Sequence, residues 1–298
     1  MVRARINCDI YFCSRPITGS TGGFFVNSLE RKMVEVLTDL RENHHVNGVK
    51  AEFEAEGTRL EEAMRLKEVV SAAGIGLTIK IGGCEALRDM YECRVLGVVR
   101  IVAPMIESAY ALHKYIGAVK LAFPEEERST VDFAINVETI SGYNVFDDML
   151  ALPEAADLDG VVLGRVDMTG SLGLPRNEIN SNPQVIEICR NLFTRAKAAG
   201  LETALGGGVS AETIPFIEQV GTGLVDRFET RKVIFCCQNG RPAPDADKGI
   251  LKAVGFELMW LKNKRDFYGL IASEDATRLE MLQSRYDKLI KAAGGMYE

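Results

Sequence analysis

The sequence predicts an α/β fold, a closed (β/α)8 TIM barrel with additional C-terminal helices. Three observations carry that prediction. Eight short apolar runs recur between residues 6 and 228, each nearly continuous, as strands covered on both faces are. Amphipathic stretches with helix start and stop residues separate them. The chain has 298 residues, room for the roughly 250 that eight β/α units need, with a tail to spare. A doubly wound open sheet is the alternative. It would place a phosphate loop after the first strand, and Thr18-Gly19-Ser20-Thr21-Gly22-Gly23 lacks the GxGxxG spacing.

The elements follow in order. Residues 6–13 read as the first strand, and 28–42 as a helix capped by Asn27 or Ser28. Strand 49–53 precedes helix 60–73, which Gly74 stops. Strand 77–81 leads to helix 85–96, strand 98–103 to helix 108–116, and strand 133–137 to the short helix 145–152. Strand 160–163 is followed by helix 183–199, strand 202–205 by helix 211–220, and 224–228 is the eighth strand. The turn at Gln238-Asn239-Gly240-Arg241-Pro242 opens the tail. Residues 1–240 thus form the barrel domain. Residues 241–298 form a helical extension, read as helices 250–262 and 274–293, that packs on the barrel or on a neighbouring subunit. Leu251, Val254, Leu258 and Leu261 recur there at helical spacing.

Composition narrows the function. The chain is 47% hydrophobic and 26% charged, with net charge −7 and no dense Lys/Arg run, so nucleic acid is not an expected partner. Seven cysteines are scattered without a CxxC pair, which excludes a disulfide framework and a zinc ribbon. Reduced thiols fit a cytoplasmic protein. Residues 1–8 hold no apolar signal region, and no apolar run approaches the ~20 residues of a membrane span.

In such barrels catalytic groups stand at the C-terminal strand ends. The residues there are Glu52, Glu54 and Glu56; Lys80, Gly82 and Gly83; Pro104 and Glu107; Glu138 and Thr139; Arg165 and Asp167; Gly206-Gly207-Gly208; and Glu229 and Arg231. Glu138 and Asp167 end consecutive strands, which lie about 4.8 Å apart. Carboxylates that close repel unless a proton or a cation lies between them. Hard oxygen donors suit Mg2+ or Mn2+. Lys80 offers positive charge, or an amine for a Schiff base. The glycine triplet and the 14–23 loop with Arg15 read as a tight turn and a lid on the same face.

The stretches Asn136-Val137-Glu138-Thr139, Ala103-Pro104-Met105-Ile106-Glu107-Ser108 and Asp159 through Gly173 resemble the HpcH/HpaI aldolase and citrate lyase β-subunit family. The likeness runs from about Gly48 to Arg231. It implies a (β/α)8 barrel with a C-terminal helix exchanged between subunits, hence a homo-oligomer. It also implies a divalent metal, Mg2+ or Mn2+, on Glu138 and Asp167, and a small-molecule 2-oxo acid as substrate. Amides and side chains at Met168, Thr169 and Gly170, with Gly82, would hold the substrate carboxylate. Two departures stand out. The family's arginine after strand three is matched here by Lys80. The histidine base that aldolases place after strand two is missing, because His44, His45 and His113 are elsewhere. Glu54 or Glu56 is therefore the expected proton shuttle. Arg165 stands where a small or apolar residue is common, placed to bind a second carboxylate or a phosphate, or to pair with a nearby acid. The implied activity is a metal-dependent carbon–carbon lyase or aldolase working through a pyruvate- or oxaloacetate-type enolate. The alternatives are a transferase using phosphoenolpyruvate or an acyl thioester, and a non-catalytic sensor that binds metal and oxo acid.

Overall fold

The computed structural model describes residues 27–295. Eight strands close a barrel: β1 (Val46–Glu52), β2 (Gly76–Lys80), β3 (Arg100–Ala103), β4 (Asp132–Asn136), β5 (Gly160–Gly164), β6 (Glu202–Gly206), β7 (Arg227–Glu229) and β8 (Val233–Cys236). β1 through β7 run parallel in sequence order. They match the second to eighth strands read from the sequence. The eighth stave departs from that reading. β8 runs antiparallel to both β7 and β1 and occupies the place between them. The expected first strand, residues 6–13, and the 14–23 loop lie outside the described residues.

A short turn makes the β7–β8 hairpin. The Thr230 amide donates to the Val233 carbonyl, and the Val233 amide donates to Thr230 Oγ1, both at 3.0 Å. Phe228 and Phe235 lie opposite one another across the pair, with ring centroids 5.0 Å apart. Aromatic pairing of this kind stabilises a hairpin beyond its area burial.

Strand alternation sorts the side chains. Odd-numbered Val49, Ala51, Leu77, Ile79, Ile101, Phe133, Ile135, Val161 and Leu205 are buried beneath the helices. In β1 to β6 the even-numbered positions point into the lumen, and in β7 Arg227 and Glu229 do so; the lumen is layered. Arg100, Asp132, Glu202 and Arg227 meet at the end where the parallel strands begin. Arg100 Nη2 lies 2.8 Å from Asp132 Oδ2 and also bonds Glu202, which Arg227 Nε reaches at 2.5 Å. β3 and β6 are not neighbours in the sheet, so the Arg100–Glu202 bond crosses the lumen. Val102, Ala134, Val162 and Ala204 form an apolar layer above it. The uppermost layer, at the strand ends, is charged.

Helices wrap the barrel much as the apolar spacing predicts. Asn27 caps Ser28–Asn43, its Oδ1 accepting from the amides of Leu29 and Glu30 at 2.9 Å each. A short helix, Arg165–Ser171, follows β5 directly. The chain falls into two compact units that divide between Phe256 and Glu257. The tail is one helix, Ala246–Ala292, where the sequence reads two. The interval between those two expected helices holds no proline, and its single glycine, Gly269, costs only about 1 kcal/mol in a helix. No described helix is long and apolar enough to cross a membrane.

The Arg100 cluster makes a stability prediction. Arg100→Met strands Asp132 and Glu202 without their shared cation. It is expected to lower the unfolding free energy by about 3 kcal/mol, read from a urea titration.

Candidate active site

The charged layer is built by residues at the strand ends. Lys50 of β1 reaches Glu229 Oε1 of β7 at 2.6 Å and Glu52 Oε1 at 3.2 Å. Lys80, opposite Glu52 in the β1–β2 register, stands 2.9 Å from Glu54 Oε2 and 3.4 Å from Glu138 Oε1. Burial works against the charge on both lysines. For Lys50, Glu229 and Glu52 outweigh burial, and for Lys80, Glu138, Glu54 and Glu52 do so, which holds both ammonium groups above the usual lysine range. Neither is therefore the neutral amine that Schiff-base chemistry needs.

Glu138 lies two residues beyond β4 and is 2% exposed, so its orientation is constrained from several sides. Its Oε2 accepts from Asn136 Nδ2 at 2.6 Å, and its Oε1 accepts from the Met105 amide at 3.2 Å. Met105 adopts a left-handed φ of 48°, a costly conformation for an unbranched non-glycine residue. In that conformation its amide meets the carboxylate. On the opposite side, a Cβ on Gly164 would fall 2.5 Å from Glu138 Oε2. Only glycine leaves that space at the end of β5. Burial raises the Glu138 pKa above the usual carboxylate range. Lys80, Asn136 and the Met105 amide oppose the rise, and the charge of Asp167 adds to it. Asp167 sits in the exposed first turn of Arg165–Ser171.

The structure thus brings Glu54, Lys80, Glu138 and Asp167 together at the mouth. It does not bring in the other expected residues in the same way. Glu56 is engaged by Lys232, by Arg231 Nε at 3.2 Å and by the Glu52 amide at 3.3 Å, a knot that ties the β7–β8 turn to β1. The Gly82 amide donates to Asp89 Oδ2 at 2.7 Å, so it serves the start of helix Leu87–Leu96 and not a substrate. Met168 is buried in the core, Thr169 is buried, and Gly170 is exposed.

Arg165 corrects the expectation of a substrate-binding arginine. It is fully buried, and among the described residues its hydrogen-bond partners are carbonyl, amide and hydroxyl oxygens. Its guanidinium donates to the carbonyls of Gly206 (3.3 Å), Gly207 (2.9 Å) and Ile179 (3.5 Å), to Asn180 Oδ1 (2.7 Å) and to Thr213 Oγ1 (3.2 Å). It also lies 4.7 Å from the Phe216 ring centre. Burial lowers its pKa to about 10. Its role is to clamp two connections, the one around Ile179 and Asn180 and the one from Gly206 to Thr213, against the helix that carries Asp167. Gly207, at a φ of 79°, lets the β6 loop press onto that helix: a Cβ there would lie 2.7 Å from the Arg165 and Val166 amides.

The histidines stay away from the mouth. His44, just before β1, has Nδ1 3.3 Å from Asp245 Oδ2 and Nε2 2.9 Å from Lys252 Nζ. His45 is exposed, and His113 pairs with Glu154 at 2.7 Å on the surface. Sequence reading named Glu229 as a strand-end residue but missed Lys50, Asn136, Met105 and Gly164 as parts of the site.

The donor set bears on a divalent cation. Among the described residues no three His, Cys, Asp or Glu side chains converge in a metal-holding group. Two carboxylates with water and substrate filling the remaining positions are a common arrangement for Mg2+. The mouth also holds more carboxylate than ammonium: Glu52, Glu54, Glu138, Glu229 and Asp167 share it with Lys50 and Lys80. The space that Gly164 leaves for Glu138 and the like charge of Asp167 fit a cation held by these two acids.

Fold and mouth together define a closed α/β barrel with its charged groups at the C-terminal strand ends. No protein-family model matches the sequence, and no curated protein matches it. Among solved structures, it is similar to a HpcH/HpaI aldolase/citrate lyase family protein from Burkholderia cenocepacia J2315, with TM-score 0.51, 16% identity, and coverage of 65% of this chain and 90% of that one. It is also similar to citrate synthase SbnG, with TM-score 0.51, 17% identity, and coverage of 78% and 90%. The likeness is one of fold.

Two substitutions test the scaffold. Gly164→Ala forces Glu138 aside and is expected to cost about 1–3 kcal/mol, measured by chemical denaturation. Arg165→Met leaves the Gly206 and Gly207 carbonyls without their donor and is expected to cost about 3 kcal/mol, measured the same way.

Proposed function

We propose that the chain is a divalent-metal-dependent carbon–carbon lyase of the aldolase type, using Mg2+ or Mn2+ and acting on a 2-oxo acid through a pyruvate- or oxaloacetate-type enolate. The observation that carries this reading is the placement of buried Glu138 beside Lys80 and within electrostatic reach of Asp167 at the barrel mouth. Glu138 and Asp167 would hold the cation. Bound there, a divalent ion supplies Lewis-acid polarisation of the keto oxygen.

The chain's own residues supply the rest. Lys80, protonated and oriented by Glu54 and Glu138, places positive charge where the enolate oxygen gains electrons. Lysine provides a point charge, not the two-pronged grip of arginine, so Lys80 stabilises charge more than it orients a carboxylate. Glu54, paired with Lys80 and still partly exposed, is placed to take the proton of the hydroxyl whose carbon–carbon bond breaks. The bond's electron pair passes to the 2-oxo acid fragment, and a proton returns to its terminal carbon. Glu56, held by Lys232 and Arg231, is not free for this task.

Turnover of a panel of 2-oxo acids and 4-hydroxy-2-oxo acids with and without Mg2+ or Mn2+ tests the proposal. Glu138→Gln and Asp167→Asn are expected to abolish metal stimulation with the circular dichroism spectrum unchanged. Lys80→Ala is expected to lower kcat by about 100-fold with a smaller change in metal affinity. An unchanged rate in Lys80→Ala removes lysine from the mechanism. Metal-independent turnover of the panel refutes the metal reading.

A further inference from the structure

Helix Ala246–Ala292 carries apolar side chains far into solvent along the unit that begins at Glu257. Leu258, Leu261, Leu279 and Leu282 are 52, 52, 67 and 55% exposed. They belong to one seam. Positions 258, 261, 265, 268, 272, 275, 279 and 282 alternate at spacings of three and four, the heptad period of a coiled coil. Six of the eight are Leu, Tyr or Ala, and the two exceptions are Arg265 and Asp275.

Those exceptions select an arrangement. In a parallel, in-register pair each seam residue faces its own copy, so Arg265 meets Arg265 and Asp275 meets Asp275. Like charges in a desolvated layer are disfavoured. In an antiparallel pair, residues whose numbers sum to a constant share a layer. Setting Arg265 against Asp275 fixes the constant. The same register then sets Leu258 against Leu282, Leu261 against Leu279, and Tyr268 against Ala272, so every layer is either apolar or oppositely charged. One choice of register satisfies the whole seam, and the two-fold symmetry repeats each layer. Arg265 rests on neighbouring Asp266 with both side chains more than half exposed, so the guanidinium can accept a second carboxylate.

We propose that residues 258–282 form an antiparallel two-stranded coiled coil with a second copy of this chain, held in register by reciprocal Arg265–Asp275 pairs. This pairing does not depend on the activity proposed for the barrel.

Sedimentation velocity and light scattering on the full chain across a dilution series test it. Leu261→Glu with Leu279→Glu together are expected to halve the molar mass of the assembly. Arg265→Asp alone and Asp275→Arg alone each create like-charge layers, and each is expected to raise the dissociation concentration about tenfold. The exchanged double variant, Arg265→Asp with Asp275→Arg, is expected to return it to the parent value. Circular dichroism confirms that helix content is retained. A double variant as weak as the single ones overturns the antiparallel register. An unchanged molar mass in the double leucine variant overturns the seam itself.

Discussion

The Glu138 carboxylate, desolvated beside one ammonium and within reach of a second carboxylate, is the constraint around which the barrel mouth is built. A charge that is 2% exposed needs partners in fixed places, and three structural features serve it. Met105 bends into the left-handed region to present its amide. Position 164 forgoes a side chain so that the carboxylate fits. Lys80 brings positive charge from β2 while being held by Glu54. Each feature lies on a different strand end, so the closed barrel is what brings them together.

The lumen repeats this logic at both ends. Arg100 and Glu202 meet across it at one end, and Lys50 and Glu229 join β1 to β7 past the intervening β8 at the other, with a layer of valine and alanine between. The buried pairs do not make the barrel more stable than an apolar filling would. They fix which strands sit opposite one another and hold the upper acids and bases in set orientations.

Much of this was legible in the sequence, and the limits are physical. β1 to β7 were readable because their outward faces are apolar. β8 was not, because Val233-Ile234-Phe235-Cys236 follows β7 after a three-residue turn and breaks the expected alternation of strand and helix. Glu138 and Asp167 were readable from their positions at the strand ends. Their supports were not. Pairing Lys50 with Glu229 requires knowing that β1 and β7 flank the same strand in the closed barrel, and nothing in a methionine side chain announces a positive φ. Arg165 looked like a ligand-binding residue beside the acids. Its partners, Asn180, Gly207 and Thr213, are distant in sequence, and only the folded chain shows that they use up its donors.

The reversed direction of β8 also decides where the polypeptide leaves the barrel. A last stave parallel to the others would deliver the following chain at the charged rim. Here the hairpin turns at that rim and sends the chain back to the base, where Asp245 and Lys252 meet His44. Residues 237–245, which follow β8, therefore leave the barrel at the end opposite the charged mouth, and the last stave serves as the exit from the sheet.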